Sequence, residues 1–267
     1  MIRDITIGQY YPADSILHRL DPRVKLFGTF IFLIAVFSFR GWAGFALLTV
    51  FLAGVIRLSK VPFRYMVKGL RAIAALMVVT AFFNIFLTNG ENIIWQWKWI
   101  HITQEGIETA VKMLFRLIYL ILGTSIMTLT TTPNELTDGL EKSLQPLRAV
   151  RVPVHEVAMI MAIALRFIPI LIEETDKIMK AQMARGADFE NGNLIKRAKA
   201  MIPLLVPLFI SAFRRANDLA MAMEARCYRG GAGRTKMKPL KYAGRDGIGY
   251  LVLAAFLSAV FILRRFA

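Results

Sequence analysis

At 267 residues, with 56% hydrophobic side chains and a mean hydropathy of +0.51, the chain is too apolar for an ordinary soluble domain and falls in the membrane class. A formal charge of +16 points to nucleic acid, anionic lipid, acidic partners or a cytoplasmic bias of Lys and Arg, and where the charge sits along the chain decides among them. The single cysteine, Cys227, excludes an internal disulfide framework and a Cys-based zinc cluster.

The first residues, "MIRDITIGQYYPADSILHRLDPRV", are mixed polar and charged and carry Pro12 and Pro22. No apolar stretch leads to a small-residue cleavage site, so no cleaved signal peptide is expected. Apolar runs follow at 24–39, 42–56, 72–88, 113–130 and 247–263, near the ~17 to 25 residues that cross a bilayer, which predicts five spans. The first two are short and separated only by "RGW", a pattern that also fits a tilted helical hairpin or a partly re-entrant pair. Between the second and third spans, "RLSKVPFRYMVKGLR" holds Arg57, Lys60, Arg64, Lys68 and Arg71 and no acidic residue. The positive-inside rule makes this loop cytoplasmic, and with it the amino terminus. The segment "NGENIIWQWKWIHITQEG" then lies outside, with Trp95, Trp97 and Trp99 on alternate positions that suit a short strand or hairpin anchored at the interface.

From 131 to 245 the pattern changes to long amphipathic helices. "HEVAMIMAIALRFIPILIEE" is interrupted by Arg166 and Pro169, and "MIPLLVPLFISAFRR" carries Pro203 and Pro207. Apolar stretches of ~10 to 14 residues suit buried or interfacial helices better than spans. Residues 176–245 contain fifteen Lys or Arg against five Asp or Glu, so most of the net charge lies in this one region. The expected organisation is an all-α integral membrane protein. Residues 1–130 form the amino-terminal segment and transmembrane helices one to four, 131–245 a cytoplasmic coupling region, and 246–267 a last transmembrane helix.

Catalytic patterns are absent from the sequence. His18, His101 and His155 are far apart, with no H-E-x-x-H spacing, and there is no G-x-S-x-G elbow. "GGAGRTK" at 230–236 lacks the order of a phosphate-binding loop and reads as a flexible linker after a helix end. No catalytic, cofactor-binding or metal-ligating residue is assigned. Lys112 and Arg116 read as cations snorkelling to headgroups, and Arg166 as a partner for Glu173 or Glu174. No span carries the Asp, Glu or His series of a proton relay.

One repeat remains. "KAQMARGADF" at 180–189 and "MAMEARCYRG" at 221–230 align at an offset of forty-one residues, with Ala181 on Ala222 and Ala184 on Ala225. A guanidinium near a helix C-terminus is favoured by the dipole, and the small residue after it lets the chain turn. Capping or lipid contact accounts for one such arginine; two on similar amphipathic helices also suit forked hydrogen bonds to carboxylates on two similar partners.

Three stretches carry a family resemblance: "SILHRLDPRVKL", "LTTTPNELTDGLEKSLQPLRAVRVPVHEVAMIMAIALRFIPIL", and the paired "ARG" and "ARC". Together they resemble the transmembrane scaffold, or T component, of energy-coupling factor (ECF) transporters, the EcfT/CbiQ family. The resemblance implies two crossing coupling helices whose ends, Ala184-Arg185-Gly186 and Ala225-Arg226-Cys227, dock onto two ATP-binding-cassette ATPases. Cys227 departs from the usual glycine, so docking is expected to persist while the turn after Arg226 differs. The implied chain is non-catalytic and holds no cofactor, ATP and Mg being bound by the partner ATPases. It transmits their motion to a membrane-embedded substrate-binding S component that takes up vitamins or metal ions. It is a multi-pass protein of a bacterial or archaeal cell membrane with a cytoplasmic amino terminus, and nucleic acid is no partner. Two variants fit: a module shared among S components, or a dedicated cobalt or nickel permease subunit. A membrane enzyme, the reading from another class, would need a constellation of His, Asp, Glu or Ser at one membrane face that the sequence lacks. Met-rich stretches such as "MIMAI" and "LAMAMEA" fit either an adaptable contact surface or core filling.

Overall fold

The computed structural model describes residues 10–39, 41–88, 92–97, 100–187, 189, 193–231, 237 and 239–266. In chain order these form α1 (Pro22–Ser38), α2 (Trp42–Ser59), α3 (Phe63–Leu87), β1 (Ile93–Trp97), β2 (Ile100–Thr103), α4 (Gln104–Thr130) and α5 (Pro133–Ser143). A 3-10 turn at Gln145–Val150 follows, then α6 (Val154–Ala184), α7 (Leu194–Ala225) and α8 (Gly244–Phe266). The protein is all-α apart from one antiparallel hairpin, in which Trp95 pairs with Ile102 and Trp97 with Ile100. Trp99, the third member of the aromatic strip, lies outside the described residues, as does most of the "GGAGRTK" linker.

Helix starts are written in the sequence. Asp21 caps α1 by accepting from the Arg23 amide at 2.9 Å, with Pro22 in the first turn where a missing N–H costs nothing. The Thr103 hydroxyl accepts from the Gly106 amide at 3.1 Å to open α4. At α5 the Thr132 hydroxyl accepts from the Glu135 amide while the Glu135 carboxylate accepts from the Thr132 amide, a reciprocal capping box. The basic segment expected as a loop between spans is mostly helix. Lys60, in the left-handed region at φ 54°, ends α2, and α3 begins at Phe63, so Arg64, Lys68 and Arg71 ride its first turns.

The described residues form two compact units, 10–142 with 240–266 and 143–239. The first is a bundle of α1 to α4 with α8, and its core runs through Phe32, Val36, Leu48, Met66, Tyr119, Ile126 and Phe256. Hydrocarbon outside offers no hydrophobic drive between helices, so close packing and polar contacts must hold them. Phe51 stacks on Phe256 with ring centroids 4.1 Å apart, Gly123 leaves room for the ring of Phe32, and the Thr49 and Tyr119 hydroxyls meet at 2.6 Å. In the second unit α6 packs against α7.

Five helices among the described residues are long and apolar enough to cross a membrane: α2, α3, α4, α6 and α8. Four coincide with predicted spans. The fifth, α6, contains "HEVAMIMAIALRFIPILIEE", where Arg166 and Pro169 are expected to interrupt the helix. Pro169 sits inside an unbroken 31-residue helix instead of ending it, and an 18-residue window of α6 reaches a mean hydropathy of 1.9. The predicted first span, α1, is only 17 residues long, about 26 Å, and buries Val24, Phe32, Ala35 and Val36 within its bundle.

Candidate functional site

The repeated arginines close α6 and α7 with one and the same turn. At the end of α6 the Gly186 amide donates to the Met183 carbonyl and the Ala187 amide to the Gln182 carbonyl, both at 3.0 Å. At the end of α7 the Cys227 amide donates to the Glu224 carbonyl at 2.8 Å and the Tyr228 amide to the Met223 carbonyl at 3.0 Å. Both are the paired backbone bonds of a Schellman ending, and in both the arginine is the half-helical residue before the reversal: φ −88° at Arg185 and −91° at Arg226. The reversal needs a left-handed residue. Gly186 takes φ +88° freely, while Cys227 takes φ +55° at a steric cost of roughly 1 kcal/mol. The expectation that the turn after Arg226 differs is therefore corrected: the backbone reproduces it with a cysteine. Ala184, Arg185, Gly186, Ala225, Arg226 and Cys227 are all exposed, and among the described residues neither guanidinium has an ion-pair partner.

The two helices are pinned to each other by residues at equivalent repeat positions. Glu174 of α6 accepts from the Ser211 hydroxyl and from Arg215 of α7 through both Nε and a terminal nitrogen. Arg215 stands forty-one residues after Glu174, the same offset that relates Arg226 to Arg185. A contact between equivalent positions lies on a local two-fold relation between the helices. From that contact each arginine of the repeat is eleven residues on, about 16 Å along its helix. A second contact shows the helices running antiparallel: Gln182 Nε2 donates to the Pro203 carbonyl at 3.4 Å. That oxygen would ordinarily accept from the amide of residue 207, and Pro207 has none. The proline thus frees a carbonyl for the neighbouring helix. At the other end of the same unit the Tyr228 hydroxyl donates to Met159 Sδ at 3.0 Å.

Around this pair the helix surfaces are apolar and open. Met161, Met183, Met201 and Met221 are all exposed, as are Ile160, Phe209 and Phe213. Exposure of Met161 and Met221 favours the adaptable-surface reading of "MIMAI" and "LAMAMEA" over core filling at these two positions. Glu174, the expected partner of Arg166, is instead taken by Arg215.

Sequence reasoning missed a second polar constellation, in the other unit. Buried Asp246 accepts from the Asp21 amide at 2.8 Å and the Ala243 amide at 2.7 Å. Arg23 grips the Asp21 carboxylate with two bonds at 2.9 and 2.8 Å and lies 3.7 Å over the Tyr242 ring. Burial works to raise the Asp21 carboxyl, but the Arg23 guanidinium and amide prevail and hold it below the usual carboxylate range. His18 is occupied by the Ser15 hydroxyl at 2.7 Å and the Tyr11 carbonyl at 3.0 Å. "SILHRLDPRVKL" is thus a structural knot. Among the described residues no group of three or more His, Cys, Asp or Glu could hold a metal ion.

Comparison with known proteins follows the same lines. The model of a family described as CbiQ, cobalt transport protein, matches residues 13–237. The chain is 55% identical over 266 residues to the energy-coupling factor transporter transmembrane protein EcfT of Clostridium kluyveri, covering 99% of this chain and 98% of that one. It is similar to proteins of the same name from Ruminiclostridium cellulolyticum, at 52% identity over 98% of both chains, and from Bacillus subtilis, at 48% identity over 96% of this chain and 98% of that one.

Proposed function

The chain belongs to the CbiQ/EcfT family and is a transmembrane coupling component of an energy-coupling factor transporter, and from that premise we propose that its two arginine turns are the docking points for two ATPase subunits. One observation carries the proposal. The same backbone turn presents an exposed arginine at the end of each of two antiparallel helices, eleven residues from a contact between equivalent repeat positions. Two like sites on a local two-fold suit two like partners. A guanidinium half-way into a fixed reversal is preorganised for a forked bond to a partner carboxylate, because the turn has already set its direction.

In this reading the chain is non-catalytic and holds no cofactor, and the partner ATPases bind ATP and Mg. Their movement enters through Arg185 and Arg226. It travels down α6 and α7 as stiff elements, and their open apolar faces move against a separate substrate-binding membrane protein. The membrane topology that accompanies it is multi-pass with the amino terminus in the cytoplasm, in keeping with the run of five basic residues from Arg57 to Arg71. The near-full-length relatives are named for an energy-coupling factor transporter and the family model for cobalt transport, and both variants, a shared module and a dedicated metal-uptake subunit, belong to this reading.

The test is copurification from membranes with coexpressed ATPases, comparing wild type with Arg185→Glu, Arg226→Glu and the double reversal. Each single reversal is expected to weaken retention and the double to abolish it, with membrane insertion intact. Equal retention in all four would reduce the arginines to helix caps.

A further inference from the structure

The bundle of residues 10–142 and 240–266 contains an open, apolar pocket of about 220 Å³ that the coupling mechanism does not use. It lies among α1, α2, α4 and α8. Its inner end is set by Phe32 and Gly123, and its lining includes the exposed apolar side chains Ile16, Leu58 and Val252. A pocket with exposed apolar walls facing water would be costly to keep open; one facing lipid costs nothing.

Two cations line the pocket, Lys25 and Arg245, and no acidic side chain does. Lys25 is 7% exposed, and its ammonium donates to the Thr130 carbonyl at 2.8 Å and the His18 carbonyl at 3.3 Å. Those bonds use two of its three donors. Both cations sit where α1 and α8 begin and α4 ends, that is, at one membrane end of the bundle. Phe32 is seven residues along α1 from Lys25, about 10 Å deeper. The pocket is therefore cationic at the membrane end and greasy inward.

We propose that this pocket holds one acyl chain of an anionic phospholipid from the leaflet at that end, with the lipid phosphate facing Lys25 and Arg245. Charge complementarity selects the headgroup, and the apolar lining selects the chain. The inference does not depend on the docking role of the arginine turns.

The test is lipid retention by the purified full-length chain after exchange into an equimolar mixture of phosphatidylglycerol and phosphatidylcholine, read by mass spectrometry of bound lipid. Wild type is expected to keep phosphatidylglycerol in preference. Arg245→Gln, on the exposed side of the pocket, is expected to lower that preference about fivefold, and Lys25→Met by more. Val252→Trp, which fills the pocket, is expected to remove bound lipid without changing the thermal unfolding midpoint. Lys25 also closes the end of α4, so if Lys25→Met does not fold, Arg245→Gln carries the charge test and Val252→Trp the shape test. Equal retention of both lipids in wild type, or retention unchanged by Arg245→Gln and Val252→Trp, would overturn the proposal. So would inorganic phosphate displacing the lipid as readily as free phosphatidylglycerol does, or a copurifying polypeptide lost on Val252→Trp.

Discussion

In the unit of residues 10–142 and 240–266, charged side chains are turned onto the protein's own backbone and each other. Lys25 closes the end of α4 at Thr130, Arg116 donates to the Phe39 carbonyl at the end of α1, Lys112 pairs with Glu108 at 2.6 Å, and Asp246 collects two amides. In the unit of residues 143–239, the recurring arginines stand exposed at helix ends and large apolar side chains face outward from α6 and α7. The first unit uses polar chemistry to hold itself together where hydrocarbon supplies no drive, and the second, beyond the Glu174–Arg215 pair, leaves its repeated arginines exposed, as the proposed docking role requires. Substitutions in the first should therefore act on stability, and substitutions in the second on assembly.

The largest effect is expected at Asp246, which is 3% exposed and is the sole acceptor described for two amides from separate segments. Asp246→Ala leaves the buried Asp21 amide without its acceptor and frees the part-buried Ala243 amide, at a cost of about 1–3 kcal/mol. The thermal midpoint in detergent should fall sharply, while the chain that remains folded should still retain ATPases. An unchanged midpoint would break the contrast between the units.

Next is Gly186→Val. A β-branched residue at φ +88° costs roughly 1–2 kcal/mol or forces the turn open, and Arg185 sits immediately before it. Copurification of an ATPase should weaken severalfold with little change in the unfolding of the first unit. A global loss of stability equal to that of Asp246→Ala would erase the distinction.

Parts of this arrangement were legible in the sequence, and the physical reason differs for each. Four spans stood out because apolar length survives any packing. The unbroken length of α6 was hidden, since Pro169 and Arg166 read as breaks, although a proline inside a long helix costs one hydrogen bond and need not end it. Lys112 and Arg116 read as snorkelling cations: Glu108, four residues before Lys112 on the same helix, was a legible partner that went unread, whereas the Phe39 carbonyl beside Arg116 comes from another helix and no local spacing shows it. The paired arginine turns were visible as a repeat, yet the crossing contact was missed, although its signal was present. Glu174 and Arg215 differ in sign at the same repeat position, as do Glu173 with Arg214 and Lys177 with Asp218, so the repeat offered complementary pairs without saying which one meets.

That crossing provides the third prediction. Glu174→Arg should weaken the helix pair and transport together, and adding Arg215→Glu should restore both, with a coupling of about 1 kcal/mol in a double-mutant cycle because the pair is partly exposed. Transport unaffected by the single reversal would mean that α6 and α7 do not move as a pinned unit.

The smallest effect, and the finest comparison, is between the two turns themselves. Their hydrogen bonds match and their arginines share one conformation, so the only backbone difference is which residue bears the left-handed torsion. Cys227→Gly removes the Cβ clash but gives the unfolded chain more freedom, and the two terms leave a gain of less than about 1 kcal/mol. If Arg226 docks through the geometry of the turn alone, ATPase retention should be unchanged or slightly better in Cys227→Gly. Retention that falls would assign the exposed thiol side chain a contact of its own, and the two turns would then be alike in backbone and different in what they recognise.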